Sequence, residues 1–182
     1  MRIIAGTAGG LTLSPPPIGT RPTMDRVRAA IFSSLGDAVP GARVLDLFAG
    51  SGAMGIEALS RGAVSAVFVD SNSRSTACVK TNLRHTKLDG SVQTMDALKF
   101  LELYASDRFD LIFADPPYTK QPTDRDFATE LLLLPALAAA LPPGGTFVLE
   151  RLSGSKEPEQ TALSLVRIRR YGESEVAYYT PA

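Results

Sequence analysis

The sequence predicts an α/β fold in which a mostly parallel β-sheet ends in an antiparallel hairpin. From Arg43 onward, short apolar runs rich in β-branched and aromatic residues alternate with longer stretches of helical periodicity. Such alternation is typical of βαβ units, whose strands are parallel. Near the carboxyl end the rhythm changes to two runs of alternating polar and apolar residues around Gly172, as in a hairpin at a sheet edge.

Composition places the chain among ordinary globular proteins. Its 182 residues are 21% charged and 45% hydrophobic, which suits one compact domain. Lysine plus arginine and aspartate plus glutamate number 19 each, so a nucleic-acid surface would need local segregation of charge. A single cysteine, Cys78, and a single histidine, His85, exclude an internal disulfide and an ordinary zinc site. We therefore expect no structural metal. We also expect a cytoplasmic protein, because no secretory signal or membrane-spanning run is recognisable.

The elements follow in chain order. Glycine and proline divide residues 1–24 into a short hairpin and a loop. A helix is predicted over residues 25–35, where Val27, Ile31 and Leu35 recur at helical spacing before Gly36. Further strands are predicted over residues 44–48, 66–69, around 92, 111–114 and 147–150, helices over 53–61, 72–86, 96–104 and 126–140, and the final hairpin over 163–170 and 175–180.

A glycine-rich loop follows the first predicted strand and leads directly into a helix. Glycines at this position allow a ligand to approach the backbone at a helix amino terminus. Gly50, Gly52 and Gly55 match the dinucleotide-binding spacing, and Asp70 follows about twenty residues later, at the end of the next strand. The loop alone therefore leaves nicotinamide dinucleotides and S-adenosylmethionine both open.

Asp46 favours S-adenosylmethionine, because an acid at the end of the strand repels a pyrophosphate and attracts an ammonium and a sulfonium. Asp70 is predicted to accept hydrogen bonds from the ribose hydroxyls, and Asp96 to meet the adenine amine. Capping of a helix or strand end is the alternative for all three, and is weakest for Asp46, which lies within a strand. The predicted cofactor-binding residues are Thr23, Asp46, Phe48, Ala49, Gly50, Ser51, Gly52, Asp70, Ser71, Asp96 and Ala97.

The tetrapeptide Asp115-Pro116-Pro117-Tyr118 lies at the carboxyl end of a predicted strand, where open α/β sheets bind ligands. A base amine is a poor nucleophile because its lone pair is delocalised, so catalysis needs acceptors for its N–H groups. Asp115 supplies a charged acceptor, Pro116 fixes a main-chain carbonyl, and Tyr118 offers a face for stacking. A proline-rich turn with a packing tyrosine is the alternative. The tetrapeptide predicts methylation of an exocyclic amine, without a covalent enzyme intermediate or a metal.

The chain resembles the bacterial 16S rRNA guanine-N2 methyltransferases over nearly its whole length. The resemblance rests on residues 2–6, 20–28, 45–52, 55–63 and 115–118, of which the first two blocks are specific to this family. It implies a Rossmann-like class I methyltransferase with a seven-stranded sheet, S-adenosylmethionine as cofactor, and transfer to the N2 amine of a guanine in 16S rRNA. We also expect a monomer whose substrate is presented within an assembling small ribosomal subunit.

The resemblance further implies that residues 1–24 are an RNA-binding extension of a catalytic domain at residues 25–182. Four arginines in the first 28 residues are opposed only by Asp25, which suits phosphate contacts. They could instead form ion pairs or a solvated face. Arg21 and Thr23 could also close over the methionine carboxylate of the cofactor. The predicted nucleic-acid-binding residues are Arg2, Arg21, Arg26 and Arg28, with Arg167, Arg169 and Arg170 as a further basic cluster.

Other functions stay open at this stage. The tetrapeptide also occurs in DNA adenine-N6 and cytosine-N4 methyltransferases, although this short chain has no obvious target-recognition segment. The glycine spacing alone would suit a nicotinamide-dependent oxidoreductase, and a non-catalytic RNA-binding factor would not require Asp115. Cys78 lies mid-helix and is predicted to be buried rather than nucleophilic, and His85 is predicted at the surface.

Overall fold

The computed structural model describes residues 1–15, 25–104, 106–118, 121 and 123–182, and the chain divides into two compact units, Met1–Ala97 and Leu98–Ala182. Seven strands form a mostly parallel sheet in the order β3-β2-β1-β4-β5-β7-β6, which confirms the predicted fold class. The strands are β1 Arg43–Leu47, β2 Ser65–Asp70, β3 Ser91–Thr94, β4 Leu111–Ala114, β5 Thr146–Leu152, β6 Leu163–Tyr171 and β7 Ser174–Pro181. The helices are α1 Asp25–Leu35, α2 Ala53–Ser60, α3 Ser73–Thr86, α4 Ala97–Tyr104, α5 Phe127–Leu133 and α6 Pro135–Ala139, and a 3-10 turn covers Gly36–Ala38.

The first unit contains three parallel strands joined through α2 and α3. Strands β1 and β2 pair from Arg43 with Ser65 onward, and β2 pairs with β3. Helix α2 packs closely on β2 because Gly55 has no side chain; a Cβ there would lie 2.3 Å from Cε1 of Phe68. This close approach of helix and strand is the role expected of the third glycine in such loops.

Residues 1–15, called here the amino-terminal segment, are tied to α2. A bridge pairs Arg2 with Thr12 in antiparallel fashion. The carboxylate of Glu57, which is 0% exposed, accepts the amide hydrogens of Ile4 at 2.8 Å and Ala5 at 3.1 Å. This buried carboxylate thus joins the start of the segment to α2.

The second unit is a sheet of four strands. Strands β4 and β5 are parallel, whereas β7 is antiparallel to both β5 and β6, so the predicted terminal hairpin is confirmed. The helix predicted over residues 126–140 is wrong: α5 and α6 are separated at Leu134, whose backbone is extended. Pro135 explains the break, since a residue before proline avoids helical geometry and proline itself suits the first turn of a new helix.

No helix within the described parts of the chain is long and apolar enough to cross a membrane.

Candidate active site

The loop after β1, residues 48–55, is called here the glycine loop, and three of its residues have left-handed backbone geometry. Gly50 and Gly52 have φ of +56° and +78°, which glycine adopts at little cost. Phe48 also has a φ of +56°, and a bulky residue at positive φ stores strain that the surrounding structure must offset. Such strain is concentrated at functional sites, so the turn at Phe48 supports the assignment of this loop as a ligand site.

Asp70 joins the end of β2 to the glycine loop. Its Oδ2 accepts the amide hydrogen of Gly50 at 2.9 Å, and its Oδ1 accepts that of Asn72 at 2.8 Å. Two residues that the sequence assigned to one ligand are therefore in direct contact. The carboxylate of Asp70 also organises the loop itself, which the sequence did not predict.

Asp46 is 3% exposed, and its Oδ2 accepts the amide hydrogen of Gly55 at 2.9 Å. Asp46 reaches across from β1 to the first turn of α2, so its place within a strand does not weaken the capping alternative, contrary to the prediction. Burial raises the pKa of Asp46 to about 7; the charge of Asp70 adds to this increase, and the Gly55 hydrogen bond opposes it. A cation near a buried acid with so high a pKa would lower that pKa and favour the charged carboxylate.

Asn82 of α3 is a structural residue of this site that the sequence analysis missed. Its Oδ1 accepts the amide hydrogen of Ser14 at 2.8 Å, and its Nδ2 donates to the carbonyl oxygens of Ser14 at 3.2 Å and Ser51 at 2.9 Å. The available signal was an asparagine in the interior of a helix, which often marks a buried polar contact. Asn82 holds the glycine loop and the amino-terminal segment against the same helix.

The other predicted cofactor residues lie around the ends of β1, β2 and β3. Ala49 and Ser51 are buried within the glycine loop, and Ser71 is exposed just after β2. Asp96 is half-buried immediately before α4, which begins at the buried Ala97, so its position also suits the capping alternative. Thr23 lies outside the described residues.

The tetrapeptide continues directly from β4, as predicted. Asp115 and Tyr118 are half-buried, Pro116 is buried, and Pro117 is exposed. The hydroxyl of Tyr118 donates a hydrogen bond to Oε1 of Glu150 at 3.1 Å. Burial, followed by the negative charges of Glu150 and Asp115, raises the pKa of Tyr118, so its phenol stays neutral and remains a donor.

A small cavity of about 70 Å³ lies beside the tetrapeptide and is lined by Pro116, Pro117, Tyr118 and Arg151, among others. Arg151 is buried and donates to Oε1 of Glu175 at 3.0 Å and to the hydroxyl of Tyr179 at 2.9 Å. It also forms an ion pair with Glu157. The sequence did not predict this network, which connects strands β5 and β7 behind the cavity.

The four amino-terminal arginines have different environments. Arg2 and Arg26 are exposed, and Arg21 lies outside the described residues. The prediction that Arg28 contacts RNA is contradicted by its burial: it is 0% exposed, pairs with Asp25 at 3.0 Å and lies 3.7 Å from Glu57. In the carboxyl-terminal cluster, Arg169 and Arg170 are exposed, whereas Arg167 is half-buried and lies 4.4 Å above the ring of Tyr178.

Cys78 and His85 carry no recognisable chemistry. Cys78 is only half-buried, which corrects the prediction of burial, and its thiol donates to the carbonyl of Pro15 at 3.3 Å. Burial raises the pKa of this thiol, although the hydrogen bond with Asn82 opposes the shift, and a raised pKa disfavours the thiolate. His85 is exposed, as predicted. The described residues contain no cluster of three or more side chains suited to a metal ion.

The fold, the glycine loop after β1 and the tetrapeptide after β4 together define a methyltransferase of the Rossmann-like class. The chain belongs to the family described as conserved hypothetical protein 95, whose model matches residues 1–180.

Relatives with assigned names and solved structures agree with this placement and confirm the family resemblance drawn from the sequence. YlbH of Bacillus subtilis (strain 168), named as a candidate rRNA methyltransferase, is 38% identical over 98% of both chains. Ribosomal RNA small subunit methyltransferase D of Escherichia coli (strain K12) is 37% identical over 66% of this chain and 61% of its own length. The structure of a hypothetical protein from Thermus thermophilus superimposes with a TM-score of 0.83 at 32% identity, over 100% of this chain and 99% of that one.

Proposed function

We propose that this chain transfers a methyl group from S-adenosylmethionine to the exocyclic N2 amine of a guanine in 16S ribosomal RNA. The tetrapeptide at the carboxyl end of β4 carries the proposal, because its residue types match the needs of an amine nucleophile. The Escherichia coli relative, whose name assigns it to small-subunit ribosomal RNA, supports the choice of substrate.

The described residues fit the proposed cofactor. The strained turn at Phe48 and the left-handed Gly50 and Gly52 allow close approach to the backbone of the glycine loop. Asp70 offers a carboxylate for ribose hydroxyls. An ammonium or sulfonium beside the buried Asp46 would stabilise the charged form of its carboxylate. When bound, S-adenosylmethionine supplies an electrophilic methyl group.

The residues of the tetrapeptide prepare the amine. Asp115 and the carbonyl of Pro116 accept its two N–H groups, which localises the lone pair on nitrogen. Tyr118 provides a face for the base, and stacking of this kind contributes about 1 to 3 kcal/mol. The base must leave its helical stack, because an amine paired inside a duplex cannot reach Asp115.

The RNA contacts belong to the same proposal. Arg2 and Arg26 are exposed, which supports their predicted contacts with RNA phosphates. The RNA contact of Arg21 stays a prediction. The division into an extension of residues 1–24 and a catalytic domain of residues 25–182 also stays a prediction. We expect the protein to be a cytoplasmic monomer that acts on an assembling small ribosomal subunit.

A methyl-transfer assay tests the proposal. Tritiated S-adenosylmethionine is incubated with the protein and either small ribosomal subunits, deproteinised 16S rRNA or duplex DNA, and the product is digested for mass spectrometry. We expect N2-methylguanosine from the RNA substrates only. Label that appears only in DNA would show the competing adenine or cytosine methyltransferase instead.

Two variants assign the activity to the tetrapeptide. Asp115→Ala removes the charged acceptor and should lower the rate about 100- to 1000-fold, the range found when one transition-state hydrogen bond is lost. Asp107→Ala is the matched control, because Asp107 is an exposed aspartate of the same unit. Equal rates for the two variants would remove the catalytic role of Asp115.

A further inference from the structure

We propose that Glu150 selects guanine by accepting the N1–H of the target base while the tetrapeptide holds the N2 amine. This inference rests on the proposed function, because it names the residue that distinguishes guanine from the other bases at the same site. It starts from one contact that the tetrapeptide makes outside itself, the hydrogen bond from Tyr118 to Glu150.

The sheet places Glu150 beside the first residue of the tetrapeptide. Strands β4 and β5 are parallel, and the last pair in their register joins Ala114 to Leu149. The next residues along the two strands are Asp115 and Glu150, and both are half-buried. Both carboxylates also act on the Tyr118 hydroxyl, since each contributes to the raised pKa of that group. Two carboxylates and one phenol therefore share a small region of the second unit.

The residue after Glu150 on β5, Arg151, has its own partners. Successive side chains of a strand point to opposite faces of the sheet. Arg151, next to Glu150 on β5, is engaged with Glu175, Tyr179 and Glu157. The hydroxyl of Tyr118 contacts Oε1 of Glu150, and a carboxylate has lone pairs for more than one donor. Glu150 can therefore hold Tyr118 and accept a second hydrogen bond from a base.

Guanine is the base that matches such an arrangement. Its Watson–Crick edge carries an N1–H directly beside the N2 amine, so it presents donors to two acceptor groups. Adenine and cytosine carry a ring nitrogen with a lone pair beside the amine, and this lone pair would face a carboxylate. A pair of neighbouring acceptors thus attracts guanine and repels the other two bases, which is how a site gains specificity.

A base analogue in the RNA tests this assignment. The methylated position is first mapped by mass spectrometry, and 16S rRNA is then assembled with either guanosine or 2-aminopurine riboside at that position. The analogue keeps the 2-amino group but lacks the 6-oxo group and has a lone pair at N1 where guanine has a hydrogen, so the comparison of wild type with a Glu150 variant isolates the effect at N1. We expect the wild-type protein to prefer guanosine by about 10- to 100-fold in kcat/KM, the range for loss of a hydrogen bond to a charged group.

The variant Glu150→Gln should lose most of this preference, because its side-chain amide can donate to the analogue's N1 and accept from guanine's N1–H, whereas any contribution of the 6-oxo group is the same in both proteins. Tyr118→Phe should lower the rate with both RNAs and keep the preference. Glu102→Gln, at an exposed glutamate of α4, is the control for loss of a surface charge.

The result that overturns the proposal is a Glu150→Gln variant that slows equally on both RNAs, which would make Glu150 only a positioning residue for Tyr118. A wild-type protein without activity on the guanosine RNA would instead refute the proposed function, and the role of Glu150 would fall with it. Circular dichroism of each variant excludes unfolding as the cause of a loss.

Discussion

Asn82 donates a hydrogen bond to the main-chain carbonyl of Ser51, with 2.9 Å between nitrogen and oxygen, from the helix that also holds Ser14. Through this contact, the geometry of the glycine loop depends on a residue of α3, which lies outside the loop and its flanking strand and helix. Cofactor affinity should therefore respond to a change in α3.

We expect Asn82→Ala to weaken binding of S-adenosylmethionine and to lower the free energy of unfolding by about 1 to 3 kcal/mol, because it removes the Asn82 hydrogen bonds of the buried Ser51 carbonyl and of the main chain at Ser14. Calorimetric titration and urea unfolding measure the two effects. His85→Ala, on the exposed face of the same helix, is the control. An Asn82→Ala protein with wild-type affinity would show that the loop keeps its shape without this contact.

The pH dependence of stability should reveal the burial of Asp46, whose pKa is raised to about 7 from an ordinary 3.8. Below about pH 4 the carboxyl is protonated in both the folded and the unfolded chain. Between about pH 4 and 7 the unfolded chain releases this proton first, so the free energy of unfolding falls as pH rises, by at most about 1.4 kcal/mol per pH unit.

Asp46→Asn removes this titration and can still accept the Gly55 hydrogen bond through its amide oxygen. The difference in unfolding free energy between wild type and variant should therefore change steadily between about pH 4.5 and 7, in favour of the variant at the higher pH. Urea unfolding at several pH values measures it. A difference that stays constant with pH would contradict the raised pKa.

Removal of the Glu57 carboxylate should be strongly destabilising. In Glu57→Ala, Arg28 stays buried without this counter-charge, and the amides of Ile4 and Ala5 lose their acceptor. Breaking a buried ion pair on one side costs about 3 to 5 kcal/mol. Thermal or urea unfolding measures the total loss of stability, and hydrogen exchange of the Ile4 and Ala5 amides shows whether the loss reaches the amino-terminal segment. Arg61→Ala, which removes a more exposed partner of Glu57, should cost less.

Arg26 and Arg28 lie two positions apart on α1, yet their substitutions should affect different properties. Arg26→Ala should weaken RNA binding and reduce its salt dependence by about one charge, since Arg26 is exposed. Arg28→Ala should instead lower stability, because the buried guanidinium balances Glu57. Filter binding across a salt series measures the first effect. Arg84→Ala, an exposed arginine of α3, should alter neither.

Local patterns were sufficient to predict the elements that surround the site. The helix over Asp25–Leu35 and the strand over Leu111–Ala114 have the predicted bounds, because their apolar spacing and flanking residues determine both type and length. The prediction of a single helix over residues 126–140 was wrong because the apolar periodicity continues through Pro135, although the proline breaks the helix.

Contacts between distant residues are what the sequence could not supply. The Tyr118–Glu150 hydrogen bond spans 32 positions, and the Ser14–Asn82 contact spans 68. A lone glutamate within an apolar strand, or an asparagine within a helix, has no local signature of its partner. For Asp46, sequence indicated that the residue was unusual, but only the fold shows that its carboxylate reaches Gly55.

The dependence of the amino-terminal segment on α2 and α3 also has a consequence for synthesis of the chain. Ile4 and Ser14 emerge first from the ribosome, but their partners Glu57 and Asn82 follow 53 and 68 residues later. At translation rates of about 5 to 20 residues per second, these partners are missing for several seconds. The segment that is made first can therefore be fixed on α2 and α3 only after most of its unit has been synthesised.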